Sequence, residues 1–359
     1  MLRTSATRVS AEAFRKLQVS HLQLRRLSQK LEFKDPDSDR PRRSYLYVPC
    51  SEQRMLMKSL ETPSDVIIYD LEDSVAPDAK ARARSALNTF LNTRHERPLP
   101  LPSRVAVRLN AVNTPYFDDD VRAAVSLPLV HTLVLPKIHS ASDLDDVAEL
   151  VSWASSSSSA HRSQPLRLVA SIESARALWD IGKIASWKSH NGPTGGILVS
   201  LLFAAEDYCA DTSIIRTTSR LELLYTRSQI ALAAKAHGLE AIDMVCVNYK
   251  DVDYLRDECE DGRRLGFTGK QAIHPSQVDV IQRTFVPTEK EIARAAKIVA
   301  TMEVSHREGR GAFGLDLTDG SSGREMIDAP MLKQAQNVLR LAKAAGLKIP
   351  GEPHLNDDL

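Results

Sequence analysis

Two carboxylates follow a long apolar run with no turn residue before them. The run is LVSLLFAA, residues 198–205, and Glu206 and Asp207 come directly after it. Glu173 ends a second apolar run, LRLVASIE (166–173), in the same way. An ionised carboxylate at the edge of a buried run needs a counter-charge or a proton. Carboxylate oxygens suit Mg²⁺, and the chain has no cluster of cysteine and histidine that would favour Zn²⁺.

Eight short apolar runs of strand type recur along the chain, with helical patterns between them. The runs are SYLYV (44–48), DVIIYD (65–70), RVAVRLN (104–110), HTLVLPK (131–137), LRLVASIE (166–173), GGILVSLLF (195–203), AIDMVCVN (241–248) and GFTGKQAI (266–273). One helical pattern, SRLELLYTRSQIALAAKAHG, ends at Gly238, which is a good helix stop. Eight strands that alternate with helices predict an α/β fold, a (β/α)8 TIM barrel. A doubly wound open sheet is the alternative.

The polar residues that follow these runs would meet at one face of a barrel, where barrel enzymes perform their chemistry. They are Tyr47, Asp70, Glu72, Asp73, Arg108, Asn110, Lys137, Glu173, Glu206, Asp207, Asn248 and His274. Only Arg108 and Lys137 among them are firm cations, so the acids lack counter-charge. Mg²⁺ held by Glu173 and one of the two acids after the neighbouring strand would supply it and keep positions for water and substrate. A rim of salt bridges is the alternative interpretation.

Nine collinear motifs between about residue 43 and residue 345 resemble the citrate lyase β-subunit-like family of the HpcH/HpaI aldolase/citrate lyase superfamily. They are SYLYVPCSEQRMLMKSL, YDLEDSVAPDAKARAR, RVAVRLNAV, LVLPKI, IESARAL, AAEDYCADT, LYTRSQIALAAKAHGLEAIDMV, GFTGKQAIHPSQ and REMIDAPMLKQAQ. The resemblance implies a TIM barrel, usually trimeric, that acts on acyl-CoA thioesters as a Mg²⁺-dependent carbon–carbon lyase or synthase.

The resemblance also assigns roles to single residues. Glu173 and Asp207 match the metal ligands, and Arg108 matches the clamp for the carboxylate of the keto acid. The positions that bind substrate or CoA correspond to Tyr47, Arg54, Lys58, Arg108 and Ile273. Asp328, in MIDAP, matches a catalytic acid that in relatives reaches the barrel mouth of a neighbouring subunit. Arg54 and Lys58 are four apart on one helix face, so a solvated surface is the alternative interpretation for that pair.

Asp328 lies beyond the segment REGRGAFGLDLTDGSSGRE (307–325), which has five glycines and no core pattern. A flexible hinge there would let a C-terminal helical arm, residues 287–359, close over the site. The alternative is a frayed linker, with Asp328 only capping the next helix. The embedded GRGAFG follows a charged helix rather than a strand, and it does not predict a dinucleotide site.

The sequence departs from the family pattern at two places. Ala204 and Ala205 stand where relatives commonly have glycines, and Cys50 stands where Pro-Gly is usual. Since glycine permits close backbone approach to a ligand, each replacement is expected to add a side chain at the mouth. Substrate size preference or CoA affinity could differ as a result.

Charge and hydropathy exclude some classes of protein. A formal net charge of +1 argues against a general nucleic-acid binder. No apolar run reaches the roughly 20 residues of a membrane span, so a soluble protein is expected. The four cysteines form no CxxC and suggest a reducing compartment.

The N-terminal segment differs in composition from the rest of the chain. Residues 1–31 carry seven basic side chains, four serines and a single acid, Glu12. This composition predicts a mitochondrial transit peptide within residues 1–41, before a barrel over residues 42–286, and location in the matrix. A disordered basic tail is the alternative.

The expected reaction is cleavage of citramalyl-CoA to acetyl-CoA and pyruvate, with malyl-CoA cleavage to glyoxylate as a related activity. The expected partners are acyl-CoA, a small oxo-acid and further copies of the chain in a homotrimer. Two alternatives remain: an aldolase that acts on free oxo-acids without CoA, and a non-catalytic assembly protein that kept the barrel.

Overall fold

Eight parallel strands close into a barrel in the computed structural model, which describes residues 41–158, 164–316 and 324–351. The strands are β1 (Ser44–Pro49), β2 (Val66–Asp70), β3 (Val105–Arg108), β4 (Thr132–Leu135), β5 (Arg167–Ile172), β6 (Ile197–Phe203), β7 (Glu240–Asp243) and β8 (Gly269–Ala272). Each strand pairs with the next, and β8 returns to β1 with Ser44 opposite Lys270. The predicted barrel is confirmed and the open-sheet alternative is wrong, because an open sheet would leave β1 and β8 unpaired.

Helices follow the strands on the outside of the barrel. In the described part of the chain they are α1 (Gln53–Lys58), α2 (Lys80–Asn92), α3 (Phe117–Ser126), α4 (Ala141–Ser157), α5 (Ala175–Trp179), α6 (Ile181–Ala185), α7 (Ala205–Thr212), α8 (Leu224–Ala236), α9 (Val252–Leu265) and α10 (Val278–Thr284), followed by α11 (Glu289–Arg307) and α12 (Ala329–Ala344). Gly238, with φ of +70°, ends the α8 segment in the left-handed conformation that glycine adopts without strain. No helix among these is both long and apolar enough to cross a membrane.

The barrel strands are buried on both faces, which explains their continuous apolar runs. One face fills the barrel interior with Tyr45, Val66, Ile68, Ala106, Val134, Val169, Leu202 and Ile242. The other face packs against the helices, as Ile67 and Val107 do against Leu87 and Val121 in the larger core. Most side chains on both faces are apolar, although β8 also carries the buried Lys270 and Gln271, and the candidate acids lie at the strand ends, where the chain leaves the sheet.

The segment between α11 and α12 forms a hairpin. Strands β9 (Phe313–Asp316) and β10 (Arg324–Ile327) pair antiparallel, and Leu315 and Ile327 are buried in a small core with side chains of α11 and α12. The expectation that residues 307–325 lack a core pattern is therefore wrong for the two strands. Residues 317–323 lie outside the described residues, as does the basic segment 1–40, so the transit peptide stays a prediction.

Candidate active site

The C-terminal ends of β2 and β3 place an aspartate beside an arginine. Asp70 and Arg108 are direct partners in the parallel register. The guanidinium donates from Nε and Nη2 to the two Asp70 oxygens, each at 2.7 Å. Burial alone would raise the pKa of Asp70, but the Arg108 charge and hydrogen bonds from Arg108, Ser74 and Glu72 outweigh it and lower that pKa. This bidentate pair fixes the orientation of Arg108 at the mouth.

Glu72 joins Arg108 to a second cation. Arg108 Nη1 lies 2.9 Å from one carboxylate oxygen of Glu72, and Lys137 Nζ lies 2.8 Å from the other. Arg108 also lies 3.3 Å from Asp73. Glu72 and Lys137 were predicted at strand ends, without a role in the site. Their pairing joins β2 to β4 across the mouth, and no sequence signal predicts it, because the two residues are 65 positions apart.

Glu173 follows β5 and is only 6% exposed. Its carboxylate accepts a hydrogen bond from the backbone N–H of Lys137. Lys137 has φ of +52°, a conformation that costs free energy for a residue other than glycine and commonly marks functional sites. Within residues 41–158, 164–316 and 324–351, no basic side chain forms a salt bridge with Glu173. Burial, with the nearby charges of Asp207 and Glu72, raises its pKa to about 8 despite that hydrogen bond.

Asp207 lies in the first turn of α7, directly after β6. The N–H of Ala204 donates to the carbonyl of Ile172 at 3.2 Å, which brings the start of α7 beside the end of β5. The side chain of Asp207 is half-buried, and no described residue gives it a hydrogen bond or a salt bridge. Glu173 and Asp207 are thus neighbouring acids without a basic partner among the described residues.

This donor set fits a hard divalent cation. Two close carboxylates that lack a counter-charge gain stability from such an ion, and their oxygens suit Mg²⁺. The described residues contain no group of three or more histidine, cysteine, aspartate or glutamate side chains that could hold a metal. Glu173 and Asp207 would therefore supply two ligands, and water or substrate would complete the shell, as is usual for Mg²⁺.

Glu206 is the acid that does not join this pair. Arg216 donates to its carboxylate, which is half exposed. Of the two acids that the sequence left open, Glu206 has a basic partner and Asp207 has none among the described residues, so Asp207 stays the candidate ligand beside Glu173. The alternative of a fully salt-bridged rim holds for the acids after β2 and for Glu206 but not for Glu173 and Asp207.

Tyr47 and Ile273 lie at the ends of β1 and β8. The Tyr47 hydroxyl donates to Gln271 at 2.9 Å, and the Arg108 guanidinium lies 4.7 Å from the centre of the Tyr47 ring. Ile273 is exposed, and its N–H donates to Gln277 at 2.8 Å. Tyr47 therefore joins Arg108 at the mouth, and Ile273 lies beside the same strand ends.

Arg54 and Lys58 are exposed on α1, the helix that follows β1. Neither side chain has a hydrogen bond or ion pair with the residues that the structure describes. Two such cations can bind a phosphate at the rim. Exposed cations on a helix surface that is only solvated have the same appearance. Their geometry is compatible with both interpretations in the sequence analysis.

Asp328 caps a helix in the single chain. Its carboxylate accepts a hydrogen bond from the N–H of Met331 at 3.4 Å, at the start of α12, and its side chain is exposed. In the described part of the chain it makes no hydrogen bond or salt bridge with a barrel residue. Within one chain, the cap of α12 is therefore the described role of the Asp328 side chain.

Cys50 does not line the mouth, contrary to expectation. Its side chain is fully buried in the core between sheet and helices, and its N–H donates to the Asp70 carbonyl at 3.1 Å. Ala205 is buried in the same core, whereas Ala204 is half-buried at the end of β6. Of the three positions that depart from the family pattern, only Ala204 is left to narrow the mouth.

Comparison with known proteins gives concordant matches. The family model of HpcH/HpaI aldolase/citrate lyase matches residues 43–275. Human mitochondrial citramalyl-CoA lyase is 33% identical over 304 residues, which cover 84% of this chain and 86% of that protein. A (3S)-malyl-CoA thioesterase of Cereibacter sphaeroides is 34% identical over 277 residues, or 77% of this chain and 88% of that protein.

A solved structure agrees with these matches. The protein CitE from Mycobacterium tuberculosis, in complex with magnesium, acetoacetate and coenzyme A, covers 85% of this chain and 99% of its own, with a TM-score of 0.64 and 29% identity. The barrel, the family match over more than half of the chain and these relatives lead to one conclusion: the chain belongs to the HpcH/HpaI aldolase/citrate lyase family.

Proposed function

We propose that this protein is a Mg²⁺-dependent carbon–carbon lyase that cleaves citramalyl-CoA to acetyl-CoA and pyruvate, with malyl-CoA as a related substrate. Aldolases and citrate lyases, which give the family its description, both break carbon–carbon bonds. The observation that carries the proposal is the pair Glu173 and Asp207, which lack a basic partner among the described residues, beside Arg108. The CitE complex with magnesium, acetoacetate and coenzyme A supports the same ligands.

The residues at the mouth suit this chemistry. When bound, Mg²⁺ supplies charge stabilisation for the substrate oxygen that becomes negative. Glu173 and Asp207 hold the ion, and Arg108 is oriented by Asp70 to bind the substrate carboxylate through its remaining N–H. The substrate hydroxyl loses its proton to water, its oxygen forms the C=O bond of the keto acid, and the electrons of the broken carbon–carbon bond leave as the enolate of acetyl-CoA. Asp328 of another copy then protonates the enolate carbon.

The test is a parallel assay of citramalyl-CoA and malyl-CoA with residues 42–359, which keep the ion pairs of Arg42 and Arg43 with the barrel, in Mg²⁺ and in chelator. Turnover of at least one thioester in Mg²⁺, and its loss in chelator, is expected because the ion that stabilises the negative substrate oxygen is then missing. Equal rates in chelator would refute the metal role. Turnover of neither thioester would favour the aldolase or the assembly protein.

The exposed cations of α1 separate the lyase from an aldolase on free oxo-acids. The double variant Arg54→Ala/Lys58→Ala should raise KM for the CoA ester about tenfold or more, because two phosphate contacts are lost. Mg²⁺ affinity should not change. Steady-state kinetics and Mg²⁺ titration measure the two effects.

A matched control is Lys235→Ala/Arg264→Ala, which removes the same charge from the C-terminal ends of α8 and α9. Helices run back along a (β/α)8 barrel, so these ends lie on the face opposite the mouth. The control should leave KM unchanged. An unchanged KM in the α1 variant would contradict CoA binding there and favour the aldolase.

We also propose a location and an assembly. Residues 1–41 would direct the protein to the mitochondrial matrix, residues 42–286 would form the catalytic domain, and residues 287–359 would form the arm of a homotrimer. The human relative described as mitochondrial supports the location. The side chain of Asp328 is exposed and bonds to no described barrel residue, which leaves it accessible to another copy in such an assembly.

A further inference from the structure

Arg216 lies between α7 and α8 and connects three elements. Its side chain is 11% exposed. Nη1 donates to Glu206 on α7, and Nη2 donates to Glu258 on α9 at 2.8 Å and to the carbonyl of Val245, after β7, at 3.1 Å. One guanidinium therefore ties the first turn of α7 to the neighbouring strand-to-helix unit.

Glu258 is a fixed anchor for Arg216. Its side chain is completely buried, and its second oxygen lies 3.1 Å from Nζ of Lys270, which is completely buried on β8. Burial alone would raise the pKa of Glu258, but the Lys270 and Arg216 charges lower it to about 2. The carboxylate is thus ionised and held from two sides. A charged network of this kind resists displacement, because removal of one partner leaves another buried charge unpaired.

Asp207 depends on the placement of α7. The helix has eight residues, and Asp207 lies in its first turn next to Glu206. No described residue makes a hydrogen bond to the Asp207 carboxylate, so only the helix backbone determines where it points. At the other end of α7, Asp211 accepts a hydrogen bond from the N–H of Ala175 at 2.7 Å. The contact between Glu206 and Arg216 restrains the end that carries Asp207.

We infer that Arg216 is a positioning residue, which holds the first turn of α7 so that the Asp207 carboxylate stays beside Glu173 in the geometry that binds the ion. The inference rests on the proposed function, since it assumes that the two acids bind Mg²⁺. Arg216 does not contact the ion or the substrate in this role. It acts through Glu206 and the backbone of α7.

The direction of the effect distinguishes positioning from simple electrostatics. Removal of a positive charge near a cation site should strengthen Mg²⁺ binding by Coulomb's law. Loss of positioning should weaken it, and loss of a group that orients a metal ligand typically costs 10- to 100-fold in affinity. Weaker Mg²⁺ binding by Arg216→Gln therefore cannot come from the charge change.

The experiment is Mg²⁺ titration by calorimetry of the full chain and of three variants. Arg216→Gln is expected to bind Mg²⁺ about tenfold or more weakly, and Arg216→Lys, which keeps the charge, is expected to bind weakly too. The control is Arg220→Gln. Arg220 lies in the same segment, is 6% exposed and pairs with Asp257 at 2.6 Å on α9, and among the described residues it has no hydrogen bond or salt bridge to α7. Its variant should bind like the wild type.

A second readout is the dependence of turnover on Mg²⁺ concentration. Saturating Mg²⁺ should restore kcat in Arg216→Gln, because the ion itself then selects the competent position of Asp207. If Arg216→Gln does not fold, Arg216→Lys decides the question.

The outcomes are distinct. The inference would be overturned if the Arg216 variant bound Mg²⁺ as tightly as the wild type or more tightly. It would also be overturned if Arg220→Gln bound Mg²⁺ as weakly as the Arg216 variant. Either result would leave the proposed function intact. Absence of Mg²⁺ binding by the wild type would overturn the proposed function and the inference with it.

Discussion

Arg108 and Lys137 neutralise the acids that follow β2, and neither side chain forms a salt bridge with Glu173. Lys137 gives Glu173 only its backbone N–H. A buried carboxylate without a cation destabilises the folded protein, and such residues are retained where they bind a ligand. At the mouth, Glu173 and Asp207 are thus a pair of acids without a basic partner among the described residues, and this pair can bind an ion.

Glu173→Gln should make the metal-free protein more stable at neutral pH, because folding there must either keep this carboxylate charged without a basic partner or protonate it, and both cost free energy. Mg²⁺ binding and turnover should be lost with the carboxylate ligand. The melting temperature in chelator and Mg²⁺ titration measure the two effects. Glu258→Gln is the contrasting control: it removes a buried carboxylate that Arg216 and Lys270 neutralise and whose pKa is lowered, and it should lower the melting temperature. A lower melting temperature for Glu173→Gln would contradict this account.

At the scale of secondary-structure elements, the junctions from strand to helix position the candidate site residues. Short links after β5 and β6 place Glu173 and Asp207 side by side, and the network of Glu258, Lys270 and Arg216 connects α9 to β8 and α7. Buried charges of this kind specify how neighbouring units of the barrel meet. They also make part of the stability depend on pH.

Glu258 contributes stability that is present above pH 4.5, the ordinary pKa of a glutamate in the unfolded chain, and lost as the pH falls towards about 2. The lowered pKa is equivalent to about 3 kcal/mol at neutral pH. Glu258→Gln should lower the urea midpoint at pH 7 and flatten the loss of stability between pH 4.5 and pH 3. Glu303→Gln, on the exposed face of α11, should behave like the wild type. A parallel acid profile for wild type and Glu258→Gln would contradict the prediction.

Two variants of Asp328 separate its role as a helix cap from its proposed role as the catalytic acid. Asparagine caps helices as well as aspartate does, but it cannot transfer the proton. Asp328→Asn should abolish turnover with little change in melting temperature, whereas Asp328→Ala should abolish turnover and lose about 1 kcal/mol of stability. Turnover assays and denaturant unfolding test this. Normal turnover by Asp328→Asn would reduce the role of the residue to the helix cap seen in the single chain.

At the scale of the whole molecule, the C-terminal elements that carry Asp328 have a hydrophobic core separate from that of the barrel. The hairpin and α12 pack against α11 in a core of their own, and Arg263 joins α9 to Glu291 of α11 at 2.7 Å. Among the described residues, the Asp328 carboxylate bonds to the N–H of Met331 at the start of α12 and to no barrel side chain. We propose that in an assembly it completes the mouth of a second copy of the chain.

Mixed assemblies test this arrangement. Glu173→Gln and Asp328→Asn chains should each be inactive alone, because each lacks one half of every site. Co-expressed and co-purified, they should recover about a quarter of wild-type turnover, since a random pairing of neighbours joins an intact mouth to an intact arm in that share of sites. Turnover of the mixed assembly and of each parent measures the recovery. No recovery would mean that Asp328 acts within its own chain or not at all.

Local pattern was enough to predict the barrel. All eight strands lie where the apolar runs indicated, because burial on both faces leaves a mark in consecutive residues. The hairpin of β9 and β10 was missed, since Leu315 and Ile327 are the buried side chains described in its two short strands, and single apolar positions leave no core pattern in the sequence.

Some features of the site could likewise be predicted from the sequence, and others depend on the tertiary structure. From the sequence alone came the set of acids and cations at the strand ends, including Glu173, Asp207 and Arg108. Only the tertiary structure decided which charges neutralise each other: Arg108 binds an aspartate 38 positions away, and Arg216 binds a glutamate 42 positions away. Cys50 was misplaced for a related reason, because its direction depends on the strand pleat and not on its neighbours in the chain. Hydrophobic periodicity is a local property that sequence displays, whereas charge pairing is a property of distances that exist only after the barrel closes.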